Sequence, residues 1–300
     1  MKITNRFNLP QVFENFVRAD KYTRGTSDIS VTQLIDSPSI RVKRQKYADK
    51  MEMDVVDRVW SLFGTAVHHV LETTESSGSV KMEERLYADI KSWSISGALD
   101  HQEVLPDGTV QITDYKVTSA WSVLLGKVEW ERQQNCYAWL VENSKGGVNR
   151  DRRVSSIRIC AILRDWQRKK AEFDKDYPQS PVVTVELPLW SSRDRTAYIK
   201  DRISLHQEAQ MMYDLEGDLG SCSSDERWSK PDTWAVKKKG QKRALKVHSS
   251  EEDAIAHAES NSSLKGNCEV EYREGEATRC VGNYCSVADF CPQYLGSHHE

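Results

Sequence analysis

Apolar and polar residues interleave from Ser96 to Leu105 and again from Val110 to Val117, with Pro106-Asp107-Gly108 between the two runs. The pattern predicts two strands joined by a tight turn, and a three-residue loop with Gly108 in the left-handed region is a common hairpin connection. Upstream, Met53 to Glu75 carries apolar residues at 55, 56, 59, 60, 62, 63, 66, 67, 70 and 71, a density that predicts a long, mostly buried helix. Met82 to Ile90, Val154 to Leu163 and Val182 to Leu189 read as further strands. Trp121 to Glu142 and Trp190 to Leu215 read as helices, and the link RDWQRKKAEFDKDYPQS as a loop. From Asp28 a short extended piece leads into a helix start interrupted at Pro38, with a basic cluster (Arg41, Lys43, Arg44, Lys46) expected on a solvated face. Gly217 to Gly220 marks a boundary. Beyond it lie a basic hairpin (WAVKKKGQKRALKV), a short helix from Ser249 to Glu259, and the strand CEVEYR. The expected class is therefore α/β, with a core over 1–216 and a small appendage over 217–300.

Counting back from the turn pairs Leu105 with Thr109 and Asp100 with Asp114. Two carboxylates directly opposed on one sheet face repel each other, and a divalent cation between them would turn repulsion into binding. Lys116 follows Asp114 by two residues and so projects from the same face. An ordinary hairpin with a solvated Asp and a surface Lys would show the same three residues. On the helix before it, His68 and Glu72 lie one turn apart and Gly64 is expected to permit close packing. On the helix after it, Gln133 and Tyr137 are four apart and share a face.

Composition narrows the setting. The 300 residues, 38% hydrophobic and 29% charged, suit a soluble and rather polar protein. A net charge of −3 offers no global attraction for nucleic acid, so such binding needs local basic patches, of which Lys237, Lys238, Lys239, Lys242 and Arg243 form the densest. No apolar run is long enough to span a membrane and no signal-peptide core opens the chain, so a cytoplasmic location is expected. Seven cysteines, an odd number without a secretion signal, argue against a disulfide framework. Three of them, Cys280, Cys285 and Cys291, crowd the last 21 residues and point to a metal or cluster site.

In order, these elements resemble the RecB-like branch of the PD-(D/E)XK nuclease superfamily, which shows G-x-x-x-H-x-x-x-E, G-x-x-D, D-x-K and Q-x-x-x-Y in succession. The chain supplies Gly64 to His68 with Glu72, then Gly97-Ala98-Leu99-Asp100, Asp114-Tyr115-Lys116, and Gln133 with Tyr137. The resemblance implies a mixed central β-sheet flanked by helices. It also implies Mg²⁺ or Mn²⁺ held by Asp100, Asp114, the Tyr115 carbonyl and His68, with Lys116 orienting the attacking water. Gln133 and Tyr137 would brace the lysine or the DNA backbone, and Glu72 would act from behind His68.

Several members of this branch bind a 4Fe–4S cluster through four cysteines. The usual tail is C-x₂-C-x₅-C; here it is Cys280-x₄-Cys285-x₅-Cys291, and Ser37-Pro38 stands where an upstream Cys-Pro step is usual. The fourth ligand is expected at Cys222, with Cys268 as the alternative; Cys136 and Cys160 read as small buried hydrophobes. Zinc is the competing occupant of four thiolates. The resemblance thus implies a metal-dependent deoxyribonuclease, an exonuclease on DNA ends or single strands in recombination, repair or phage DNA processing. CRISPR-adaptation exonucleases and stand-alone phage nucleases belong to the same branch. A homo-oligomer and a recombination partner protein are further options. The alternative is a non-catalytic, iron–sulfur or zinc DNA-binding protein on the same fold, although a pure binding module has no need of Lys116.

Overall fold

In a computed structural model, which describes residues 2–19, 25–74, 78–260 and 264–296, the chain divides into two units. Met1–Pro38 and Ala48–Asp218 form the first; Ser39–Tyr47 and Leu219–Glu300 form the second. The division expected after residue 216 thus falls after Asp218, and segment 39–47, expected with the core, belongs to the C-terminal unit.

The elements run β1 (Lys2–Thr4), α1 (Gln11–Arg18), β2 (Ile29–Ser30), α2 (Val31–Leu34), α3 (Pro38–Lys46) and β3 (Glu52–Asp54). A 3₁₀ turn leads into α4 (Val59–Thr74), β4 (Val80–Ile90), β5 (Trp93–Val104), β6 (Val110–Thr118), α5 (Ala120–Leu125) and α6 (Val128–Asn143). Then come β7 (Val154–Leu163), α7 (Arg168–Phe173), β8 (Val182–Leu187) and the long α8 (Ser192–Glu216). The remainder is β9 (Thr233–Lys238), β10 (Ala244–His248), α9 (Glu251–Glu259), β11 (Cys268–Arg273), α10 (Thr278–Val281) and α11 (Pro292–Gly296).

Six strands of the first unit form one mixed sheet, β2-β5-β6-β7-β8, with β4 on the other edge of β5. β4–β5 is a two-residue hairpin whose loop residues, Lys91 and Ser92, both have positive φ (48° and 63°), the twist that matches flanking strands. β5–β6 turns through Gly108 (φ 81°), with the Leu105 amide donating to the Thr109 carbonyl at 2.8 Å. β6 and β7 are parallel, as strands joined through the crossover helices α5 and α6 must be to lie side by side in this order.

One edge of β5 changes partner midway. β2 pairs with Ile95 and Ser96, while β6 pairs with His101 to Val104. Between them, Gly97 to Asp100 carry no ladder to either strand, and beyond Thr113 β6 is laddered to β7 alone. The strands part at this point, opening a gap in the sheet.

The core under the gap is apolar: Ile95, Leu99, Ile112 and Ile157 of the sheet meet Tyr137, Leu140 and Val141 of α6 and Ile199 and Ile203 of α8. Each such side chain, fully buried, contributes about 1.5–3 kcal/mol. The strands flanking the gap are therefore rigidly supported. A second cluster packs Trp130, Ile159, Ala161, Leu163 and Tyr177.

Four expectations about elements need correction. α4 is not mostly buried: Trp60, Phe63 and Val70 are more than half exposed (55%, 51% and 58%). The helix expected over 121–142 breaks at Gly126 (φ 69°) into α5 and α6. The basic link after β7 contains α7 rather than loop alone. Lys43 does not sit on a solvated face but is 1% exposed. Among the described residues, no helix is long and apolar enough to cross a membrane.

In the second unit, β10-β9-β11 form an antiparallel sheet, with Ala235, Val236 and Ala254 of α9 as its buried apolar residues. Lys237, expected in a solvated basic turn, lies in β9 and ion-pairs with Glu271 and Glu269 across the sheet.

Candidate functional site

The parting of β5 and β6 leaves main-chain groups of Tyr115 without a ladder partner on that side, and side chains take them up. Asp100 Oδ2 accepts the Tyr115 amide at 2.8 Å. The Tyr115 carbonyl lies 3.1 Å from His68 Nε2, which donates to it. The β5–β6 register, continued one step past His101↔Thr113, sets Asp100 opposite Asp114. Asp100, Asp114 and Lys116 line the same open cleft of about 660 Å³, together with Gly64, Thr65, His68, His69 and Arg85.

A third acid joins them. The β4–β5 register, Met82↔His101 and Glu84↔Leu99, sets Glu83 opposite Asp100 on the other edge of β5. Glu83 has φ 47°, a left-handed conformation that costs a non-glycine residue free energy and recurs at functional sites. Its Oε1 lies 3.2 Å from His68 Nδ1, and Asp100 Oδ1 lies 3.6 Å from the same nitrogen. His68, Glu83 and Asp100 thus present ligand atoms within 4.8 Å of one another. Glu83, Asp100 and Asp114 form a row of carboxylates across three strands.

The electrostatics follow from that crowding. Burial, then the charge of Asp114, pushes the Asp100 carboxyl up to about 7. The Glu83 hydrogen bond, against the opposing effect of burial, raises His68 to about 9. Asp114 is 2% exposed; its Oδ2 is shielded from solvent, accepts no aligned hydrogen bond, and has Lys116 Nζ 2.6 Å away as an ion-pair neighbour. That ammonium supplies the positive charge that makes burial of the carboxylate tolerable. Three carboxylates, a main-chain carbonyl and one imidazole make a hard, oxygen-rich set suited to Mg²⁺ or Mn²⁺.

α6 supplies the floor. Gln133 Nε2 donates to the Tyr137 hydroxyl at 2.9 Å, and both buried side chains line the cleft. The helix can approach β5 only because residue 97 is glycine: a Cβ there would lie 2.6 Å from Tyr137 Cε1 and 2.9 Å from Leu140 Cδ1. Gly64 has the opposite role from the one expected. A Cβ there meets nothing within 4 Å, so it keeps the cleft open rather than allowing close packing. Gly97→Ala is therefore expected to destabilise by about 1–3 kcal/mol. Gly64→Ala, on an open helix face, should stabilise by up to about 1 kcal/mol. Urea denaturation of both variants checks this, and shifts of the same sign would contradict it. The side chain of Glu72 lies outside the described residues.

The second unit holds a separate, closed chamber with only about 10 Å³ of free space. Cys222, Cys280, Cys285 and Cys291 line it, with Lys43, Glu226, Arg227 and Arg279. Cys268, the alternative ligand, lies in β11 opposite Lys238 and does not line it. All seven cysteines are free thiols. Burial raises Cys280 and Cys285. Among the described residues, Lys43 reaches neutral acceptors, the Ser39 hydroxyl and the Leu219 and Gly220 carbonyls. Three cations against one carboxylate, Glu226, give the chamber a positive lining, which suits an anionic occupant such as a tetrathiolate centre. Among the described residues no three of these sulfurs lie within 4.8 Å of one another. Cys136 is buried, its thiol pushed up to about 12 by burial, whereas Cys160 is only half-buried, not the buried residue expected.

Residues 227–269, covering β9, β10 and α9, match a family described as an uncharacterized protein conserved in bacteria (DUF2188). No curated protein matches the chain. Among solved structures, the crystal structure of SSO0001 is similar at 15% identity and a TM-score of 0.41, covering 65% of this chain and 82% of that one. A likeness that distant has no bearing on function.

Proposed function

We propose that the first unit is a PD-(D/E)XK-type deoxyribonuclease dependent on a divalent cation, and that the second carries a four-cysteine 4Fe–4S centre. The observation that carries the nuclease reading is the convergence of Glu83, Asp100, Asp114, Lys116 and His68 where β5 and β6 part. In this reading Asp100, Asp114, Glu83, His68 and the Tyr115 carbonyl hold Mg²⁺ or Mn²⁺, which when bound supplies Lewis-acid stabilisation of charge on the scissile phosphate. Lys116 orients the attacking water from its place beside Asp114. Arg85, lining the cleft, adds positive charge where phosphate oxygens would lie. Gln133 and Tyr137 hold the floor against which that geometry is kept.

The four cysteines would hold the cluster, which bound there supplies a structural clamp for a unit with little apolar core. The open cleft and the exposed aromatic residues of α4 favour action on ends or single strands. The test is anaerobic purification with iron and zinc analysis, followed by digestion of end-labelled DNA and RNA with Mg²⁺, Mn²⁺ or chelator. DNA degradation that needs the cation is the expected result. Intact DNA under both metals would sink the nuclease reading, and degradation of RNA alone would reassign its substrate.

A further inference from the structure

Two exposed tryptophans each have a cation over the ring. Trp60 of α4 is 55% exposed and has the Arg164 guanidinium 4.5 Å from its ring centroid. Trp121 of α5 is 58% exposed and has Lys170 Nζ 5.0 Å from its ring. Exposure of large apolar side chains is widespread here; what sets these two apart is the cation over each ring.

Their position relative to the carboxylate row is set by the fold. α4 packs along β6, with His68 beside the Tyr115 carbonyl. Trp60 precedes His68 by eight residues, about 12 Å along the helix. The Arg164 amide donates to the Thr118 carbonyl at 2.9 Å, so Arg164 stands just past the end of β6, two residues beyond Lys116. The Ala120 amide donates to Asp165 Oδ1 at 2.8 Å, tying the start of α5, and so Trp121, to the same loop. Both tryptophan–cation pairs therefore lie at the C-terminal ends of the parallel strands β6 and β7. Neither Arg164 nor Lys170 has a carboxylate partner among the described residues.

We propose that Trp60 and Trp121, with Arg164 and Lys170, form a shelf that grips an unpaired nucleic-acid strand and feeds it to the cleft. Flat aromatic faces stack on any base, and flanking cations take the phosphates, the combination that binds single strands without sequence preference. A duplex keeps its base faces stacked inside and has nothing to lay on the shelf. With a net charge of −3, the chain depends on such local cations for attraction. The shelf deepens the nuclease reading by specifying the strand form, and it rests on that reading for its purpose but not for its binding.

The experiment measures anisotropy of a labelled oligothymidylate and of a duplex of equal length, with Ca²⁺ in place of Mg²⁺ to block cleavage. Trp60→Ala and Trp121→Ala should each weaken single-strand binding by roughly tenfold or more and leave duplex binding unchanged. Trp60→Phe should retain most of the affinity, which separates stacking from loss of fold. Arg164→Gln and Lys170→Gln should each reduce the salt dependence of single-strand binding by roughly 0.7 in log–log slope. Unchanged affinity, or equal losses for single strand and duplex, would overturn the shelf. So would a change in oligomeric state by sedimentation with single-strand affinity intact, since the face would then join copies of the chain. Single-strand binding lost in the Ala variants of a protein that cleaves no DNA would keep the shelf and discard the nuclease. Cleavage with undiminished binding in those variants would do the reverse.

Discussion

Asp114→Asn is expected to lower cation-dependent DNA cleavage by roughly a thousandfold or more while leaving the protein folded. The amide keeps the volume of a side chain that is 2% exposed in the middle of β6, so packing is preserved. What it removes is charge: the cleft loses a carboxylate, and Lys116 loses the partner 2.6 Å away that fixes its position. Stability should move the other way. In the wild type, Asp114 is one cause of the raised Asp100 carboxyl, second only to burial. Relieving that repulsion should hold or raise the thermal midpoint of metal-free protein, the usual relation between a strained site and the fold that carries it. Excess Mg²⁺ should then stabilise the wild type by mass action and the variant far less, reversing their order. Thermal melts with and without Mg²⁺, beside a cleavage assay, check both halves. A variant that cuts DNA at the wild-type rate would place the chemistry elsewhere.

If the second unit holds the proposed cluster, Cys280→Ser should release it and destabilise the unit by about 3–5 kcal/mol. The reason is the thinness of its core. Its buried apolar residues are few and mostly small: Ala235, Val236, Ala254, Val287 and Ala288, with Ile40, Val42 and Leu219. A bound centre would offset what so small an apolar core leaves unstabilised. Cys268→Ser, outside the chamber, should leave metal content unchanged. Metal analysis and limited proteolysis of both variants read the outcome, and retention of metal by the Cys280 variant, or its loss from the Cys268 variant, would refute the assignment.

The residues that recur at fixed spacing were legible without a structure. His68 after Gly64, Asp100 after Gly97, Asp114 before Lys116 and Gln133 before Tyr137 all fall on the cleft, because spacing within one helix or strand sets which side chains share a face. Glu83 was not legible. It faces Asp100 across a hairpin whose loop, Lys91-Ser92, adopts left-handed geometry without the Asn-Gly or Asp-Gly signature that would have given it away. Read correctly, that turn counts Glu83 directly onto Asp100. The membership of 39–47 in the second unit was also hidden. Lys43 carries a charge that pattern reading assigns to solvent, and only a carbonyl-lined site makes its burial tolerable.

Alone, then, the chain's pattern determined the β5–β6 hairpin, the three-residue turn and the opposition of Asp100 to Asp114, since a period of two and a loop length fix register locally. Tertiary structure decided where β5 and β6 part, which turns Tyr115 main-chain groups toward Asp100 and His68. It brought Glu83 to the row, set Cys222 rather than Cys268 beside the tail cysteines, and left Trp60 exposed on a helix whose pattern predicts burial. These depend on which surfaces meet, and no single stretch of sequence carries both sides of a contact.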